Sequence, residues 1–148
     1  MDYTVLADEL LNNMHLLHKA KFQKNINEAM QGEAFVLQYI THQKGDVLPG
    51  EIGNEMDVSS ARIAAALNNL ESKGLITRRI DLRDRRKILV GITPEGKVLA
   101  QQQQQAVIAG ASKMLALLGE QDAREYVRIT CKLAEILSAR EGGNICCN

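Results

Sequence analysis

Apolar residues recur at steps of three and four over residues 3–29, where Leu6, Leu10, Met14 and Leu17 form one stripe. The spacing predicts one long helix with that stripe buried against another helix. Gly32 interrupts the pattern, and Phe35, Val36, Leu37 and Ile40 mark a short helix over residues 34–40 that Gly45 ends. Residues 46–48 suit a small strand. Pro49 then opens a helix of about two turns, because a missing N–H costs nothing at a helix start; Ile52 and Met56 are its inward residues. Met56, Asp57 and Val58 turn the chain into Ser59 and Ser60, either of which suits capping of the next helix. On that helix Ile63, Leu67 and Leu70 share a face with Ala66 beside them. Ala61, Arg62, Ala65, Asn68 and Asn69 fall mostly opposite, and Gly74 is placed to end it.

The period then changes from helical to alternating. Residues 76–80 and 87–92 are rich in β-branched side chains and flank a polar segment, residues 81–86, which predicts a hairpin with a long tip. Thr93 and Pro94 form a cap and first position for a helix running to about residue 118. The five glutamines of residues 101–105 are framed by Val98, Leu99, Val107 and Ile108 and read as helix surface. Gly119 breaks the chain, and residues 121–140 form a last helix with Tyr126, Ile129, Leu133, Ile136 and Leu137 on one stripe, followed by a tail, residues 141–148. The fold class is therefore mainly α with a small β-hairpin. Two short helices joined by a tight turn and followed by a hairpin make a winged helix-turn-helix lobe over about residues 34–93. The apolar-striped helices at residues 2–30 and 94–140 flank that lobe and read as dimerisation helices, since partner helices would cover them.

Charge locates the chemistry. The 148-residue chain carries no formal net charge, which at first argues against a polyanionic partner. Residues 58–92, however, hold eight cations (Arg62, Lys73, Arg78, Arg79, Arg83, Arg85, Arg86, Lys87) against three anions (Glu71, Asp81, Asp84), a local excess of five. Segregation of this kind orients a protein on a polyanion and weakens attraction elsewhere. The opposite classes find little support. Met1 is followed by Asp2, and no apolar run reaches the length of a secretory or membrane-spanning segment, so the expectation is a cytoplasmic protein with no membrane partner. Cys131, Cys146 and Cys147 lack metal-site spacing, and His15, His18 and His42 find no further ligands nearby, so neither a metal nor a cofactor is expected. No nucleophile with its base, no carboxylate pair and no phosphate-cradling glycine loop stands at useful spacing, which argues against an enzyme.

With the elements in this order, the chain resembles the MarR family of bacterial transcription regulators over nearly its whole length. The most specific stretch is VSSARIAAALNNLESKGLITRRIDLRDRRKILVGITPEGK. Within it the run Asp81, Leu82, Arg83, Asp84, Arg85, Arg86 fits the family's wing signature, and Ile92 to Gly96 fits its junction of wing and helix. The resemblance implies a homodimer built from the N- and C-terminal helices that sets two winged lobes on a palindromic operator in double-stranded DNA. It also implies a small, often aromatic or phenolic, anionic effector bound between lobe and dimer helices.

Site residues follow from both lines. Arg85, with Arg83 as alternate, is the expected minor-groove probe at the wing tip. Asp84 and Arg86 are expected to shape that tip by pairing, with Arg62 as one partner the family pattern suggests. Ser60, Arg62, Ala65 and Asn69 are candidates for base or phosphate contact, with Ser59 divided between capping and contact. Arg78, Arg79 and Lys87, on strands, are expected to reach phosphates. Met14, His15, His18 and Phe35 are the residues expected to line an effector cleft, with core packing as the other role for Met14 and Phe35. Two further readings stay open. One is a winged helix used to bind protein, which steep salt dependence would separate from a DNA reader; the other is a thiol-responsive regulator using Cys146 and Cys147.

Overall fold

The structure is a computed structural model that describes residues 1–140, and the chain divides into two compact units, residues 1–108 and 109–148. Nine elements follow in order among the described residues: α1 (Thr4–His18), α2 (Lys21–Ala29), α3 (Gly32–His42), α4 (Pro49–Met56), α5 (Ser60–Ser72), β1 (Ile76–Ile80), β2 (Ile88–Ile92), α6 (Pro94–Leu118) and α7 (Glu120–Arg140). The expected class, mainly helical with one small hairpin, is the class observed.

The first helix departs from expectation. In place of one continuous helix the chain breaks at Lys19 and Ala20, where Ala20 is extended (φ −69°, ψ 139°). The cause lies in the phase of the apolar pattern. At 100° per residue Phe22, Ile26 and Ala29 stand roughly 140–200° from Leu6, so a straight helix would turn them away from the Leu6–Leu10–Leu17 stripe. The break re-aims them. Phe22, Ile26 and Ala29 are half-buried as α2 packs on α3, whereas every residue of α1 is exposed in the single chain.

The core of the first unit is continuous. Val36, Leu37 and Ile40 of α3, Ile52 of α4 and Ile63, Leu67 and Leu70 of α5 meet Val47, Ile76, Val90 and Ala100, all nearly inaccessible. α4 and α5 form the helix pair, joined through Asp57 in the left-handed region (φ 52°). Ser59 caps α5, its Oγ accepting the Arg62 N–H at 3.4 Å. Gly74 ends it. At φ 71° the glycine lets its own N–H reach the Glu71 carbonyl at 2.9 Å and the Leu75 N–H reach the Leu70 carbonyl at 3.0 Å.

β1 and β2 pair antiparallel with Ile76 opposite Ile92 and Ile80 opposite Ile88. The small strand expected at residues 46–48 is present as a bridge: the Val47 N–H donates to the Val90 carbonyl at 2.9 Å and the Val90 N–H donates back at 2.8 Å. Thr93 then ties three elements together. Its Oγ accepts the Gly96 N–H at 3.0 Å, capping α6, while its hydroxyl donates to the Gly74 carbonyl at 2.7 Å and its N–H to the Leu75 carbonyl at 3.1 Å. Gly96 sits so close under Leu75 that a Cβ there would overlap the Leu75 carbonyl oxygen. In the second unit α7 carries the pairs Arg124–Glu120 at 3.0 Å and Arg128–Glu125 at 2.5 Å on its surface. No helix among the described residues is long and apolar enough to cross a membrane.

Candidate nucleic-acid interface

The outward face of α5 is built by elimination. Ile63, Leu67 and Leu70 are buried, so at 100° per residue the opposite side is centred on Ala61, Ala65, Asn68 and Ser72, all exposed. Small side chains at the first two positions leave that face smooth, which permits close approach to a groove floor. Ser60 and Ala65 are exposed. Arg62 and Asn69 lie to one side, where they join Met30, Glu33, Phe35, Met56 and neighbours in lining a cavity of about 610 Å³.

The wing tip is ordered by two aspartates in series. The Asp81 carboxylate accepts the Arg83 N–H at 2.9 Å, and the Asp84 carboxylate accepts the Arg86 N–H at 3.1 Å and Arg86 Nε at 3.3 Å. Backbone bonds from the Asp81 N–H to the Lys87 carbonyl and from the Lys87 N–H to the Asp84 carbonyl, both 2.9 Å, close the loop. Asp84 and Arg86 thus shape the tip by pairing with each other. Arg62, the partner the family pattern suggested, takes no part. Arg83 and Arg85 project from this frame with Leu82 beside them, 91% exposed.

The strand cations divide differently from expectation. Arg78 turns its guanidinium onto α5, where Nη2 donates to Asn68 Oδ1 at 2.7 Å and to Glu71 Oε1 at 3.0 Å, and Nε donates to Glu71 Oε2 at 3.2 Å. Those bonds hold the Glu71 carboxyl below the usual carboxylate range and raise Arg78 in turn. Arg79 pairs with Asp46 ahead of α4. Arg78 and Arg79 are therefore engaged with carboxylates of the lobe, and of the three strand residues expected at phosphates Lys87 alone makes no ion pair among the described residues. Lys73 is likewise engaged, bonding Glu33 at 2.7 Å and lowering its carboxyl. The cations of residues 58–92 that remain without an ion pair among the described residues are Arg62, Arg83, Arg85 and Lys87. They stand on the helix and wing that a winged lobe lays against DNA.

Asn68 and Glu71 escaped the sequence reading as site residues, because their partner Arg78 lies ten and seven positions away, respectively, on a different element. Unlike charges at Glu71 and Arg78 were the available signal.

The expected effector residues are not gathered. Phe35 stacks on Tyr39 (centroids 6.4 Å apart) and lines both the 610 Å³ cavity and a second of about 260 Å³ with Ile26, Met30 and Val107. Met14, His15 and His18 line neither. Met14 is 55% exposed, and His18 Nδ1 lies 3.3 Å from Asn27 Nδ2. No cluster of three or more potential metal ligands occurs among the described residues. Cys146 and Cys147 lie outside the described residues.

A capped helix with a smooth outer face, beside a hairpin wing whose Arg83 and Arg85 make no ion pair among the described residues, defines a winged helix-turn-helix DNA-binding regulator. The comparisons agree. A model of the MarR family matches residues 30–87, the segment that holds the helix pair and the wing. The HTH-type transcriptional repressor MdtR of Bacillus subtilis is 28% identical over 94% of this chain and 95% of its own. The crystal structure of the YusO protein from Bacillus subtilis superposes with a TM-score of 0.67 at 29% identity, covering 87% of this chain and 97% of that one. Streptococcus pneumoniae FabT, solved in complex with DNA, shares the fold at a TM-score of 0.67 and 21% identity over 93% of this chain and 99% of its own. Over residues 30–87 the chain thus matches the MarR family, and along most of its length it is similar to winged-helix transcriptional regulators.

Proposed function

We propose that the chain is a repressor that binds an inverted-repeat operator as a homodimer, with α5 in the major groove and Arg85 of the wing in the adjacent minor groove. The observation that carries this reading is the placement of the four cations that make no ion pair among the described residues. Neutralising phosphates releases counterions, so each such contact steepens the fall of affinity with salt. Arg62 flanks the groove face, Arg83 and Arg85 form the tip, and Lys87 lies at the strand start. Arg78 is a strut in this reading, holding the wing to α5 rather than contacting phosphate. The exposed apolar stripes of α1 and α7 support the dimer, which would set two lobes about 34 Å apart on one face of the duplex.

Effector response fits the same architecture. Arg62 stands on the wall of the 610 Å³ cavity together with Met30, Phe35 and Met56. A small aromatic anion there would draw the Arg62 guanidinium from the groove and lower operator affinity by its own differential affinity for the two states. Such a site takes in Phe35 but not Met14, His15 or His18.

The test is equilibrium binding to selected duplexes across a salt series. Wild type is expected to lose affinity steeply with salt. Arg85→Ala is expected to bind at least tenfold more weakly, of the order of one minor-groove arginine contact, with an unchanged thermal melt. Salt-independent binding, or an Arg85→Ala affinity equal to wild type, would remove this reading.

A further inference from the structure

Asn68 occupies the outward face of α5, where positions 61, 64 and 65 just before it are all alanine. Its carboxamide is thus the polar tip of that stretch. Arg78 Nη2 donates to Asn68 Oδ1 at 2.7 Å, and the same guanidinium is fixed by its two bonds to Glu71. A guanidinium has donors and no acceptor, so the amide is not free to turn round: doing so would set N–H against N–H. Oδ1 is engaged on the lobe side, and Nδ2 with its two hydrogens is left at the other end of the carboxamide.

We infer that Asn68 is a sequence-reading residue locked by Arg78 as a hydrogen-bond donor. The inference rests on α5 being the recognition helix, as proposed above. An unconstrained asparagine pairs with adenine by both ends at once, Nδ2 donating to N7 and Oδ1 accepting from N6. Asn68 has one of those ends engaged with Arg78. Its preference therefore shifts to base edges that offer acceptors only, guanine O6 and N7 or thymine O4. Arg78 is a positioning residue: it makes no contact with the base and sets which end of the amide faces it.

Sites selected from random duplexes by wild type and by Asn68→Asp test this. Aspartate keeps an oxygen for Arg78 and has no N–H to offer. At one position in each half-site the guanine or thymine preference of wild type is expected to fall about tenfold and give way to cytosine, whose N4 donates. The other positions keep their preferences. Arg78→Lys, which retains a donor for Oδ1, is expected to select as wild type does, and Arg78→Gln, which releases the amide, to admit adenine at that same position. Thermal melts establish that each variant is folded, and Asn68→Ala repeats the loss of the donor without an added charge. A wild-type adenine preference that Asn68→Asp abolishes would overturn the inference. So would a uniform weakening with every base preference intact, which marks a backbone contact. If wild type itself showed no base preference and no salt dependence, the DNA-reading function would fall instead.

Discussion

Glu71 and Arg78 show what single residues contribute here. Their bidentate pair ties the C-terminal half of α5 to β1, and the hydrogen bonds from Arg78 hold the Glu71 carboxyl below its ordinary range. A carboxyl lowered in the folded state adds stability above its unfolded pKa and loses it as pH falls through the folded value. Acidification below the usual carboxylate range is therefore expected to lower the melting temperature, and Glu71→Gln is expected to remove part of that slope. Glu33 and Glu125 account for more of it, since Lys73 and Arg128 lower them in the same direction. An acid limb identical in wild type and Glu71→Gln would show that the pair is not maintained in solution. This pair also marks where sequence reasoning stopped. The cation cluster of residues 58–92 was legible, because charge is countable, and so was the wing tip, because Asp81 and Asp84 stand two positions before the N–H groups they accept. Which arginines were already engaged was not, since Asp46 and Glu71 meet Arg79 and Arg78 only after the lobe has folded.

At the scale of elements, boundaries written in local chemistry were readable. Pro49 and Pro94 start helices, Gly74 and Gly119 end them, and Ser59 and Thr93 cap them. The break between α1 and α2 has no such punctuation, since residues 18–21 hold neither glycine nor proline. Its signal is the phase jump between Leu17 and Phe22, legible only when the two stripes are compared. One result of the break is an α1 with Leu6, Leu10 and Leu17 each 45–58% exposed, and α7 likewise leaves Ile129, Leu133 and Leu137 about half exposed. Burying a leucine contributes about 2 kcal/mol, and a twofold interface counts each position twice. Leu10→Glu is thus expected to weaken self-association more than a hundredfold. Sedimentation at micromolar concentration would read a shift from dimer to monomer, and an unchanged dimer would remove α1 from the interface.

For the molecule as a whole, the separation of charge matters more than its total. A neutral chain with a local excess of five cations is drawn to a polyanion by one face and is only weakly attracted elsewhere, which favours an oriented encounter over general adhesion. How that face responds once bound depends on the Thr93 junction. Thr93 bonds the end of α5 to the start of α6, and Gly96 lies against Leu75 with no room between them. The end of α5, the wing and the first turn of α6 thus share one mounting. A stiff reader is a ruler. On the proposed inverted-repeat operator, inserting one base pair between the half-sites would turn one of them by about 35° and carry it about 3.4 Å along the duplex. Such a spacer is expected to reduce binding to that of a single half-site, whereas full affinity would mean that the compliance resides outside the lobe.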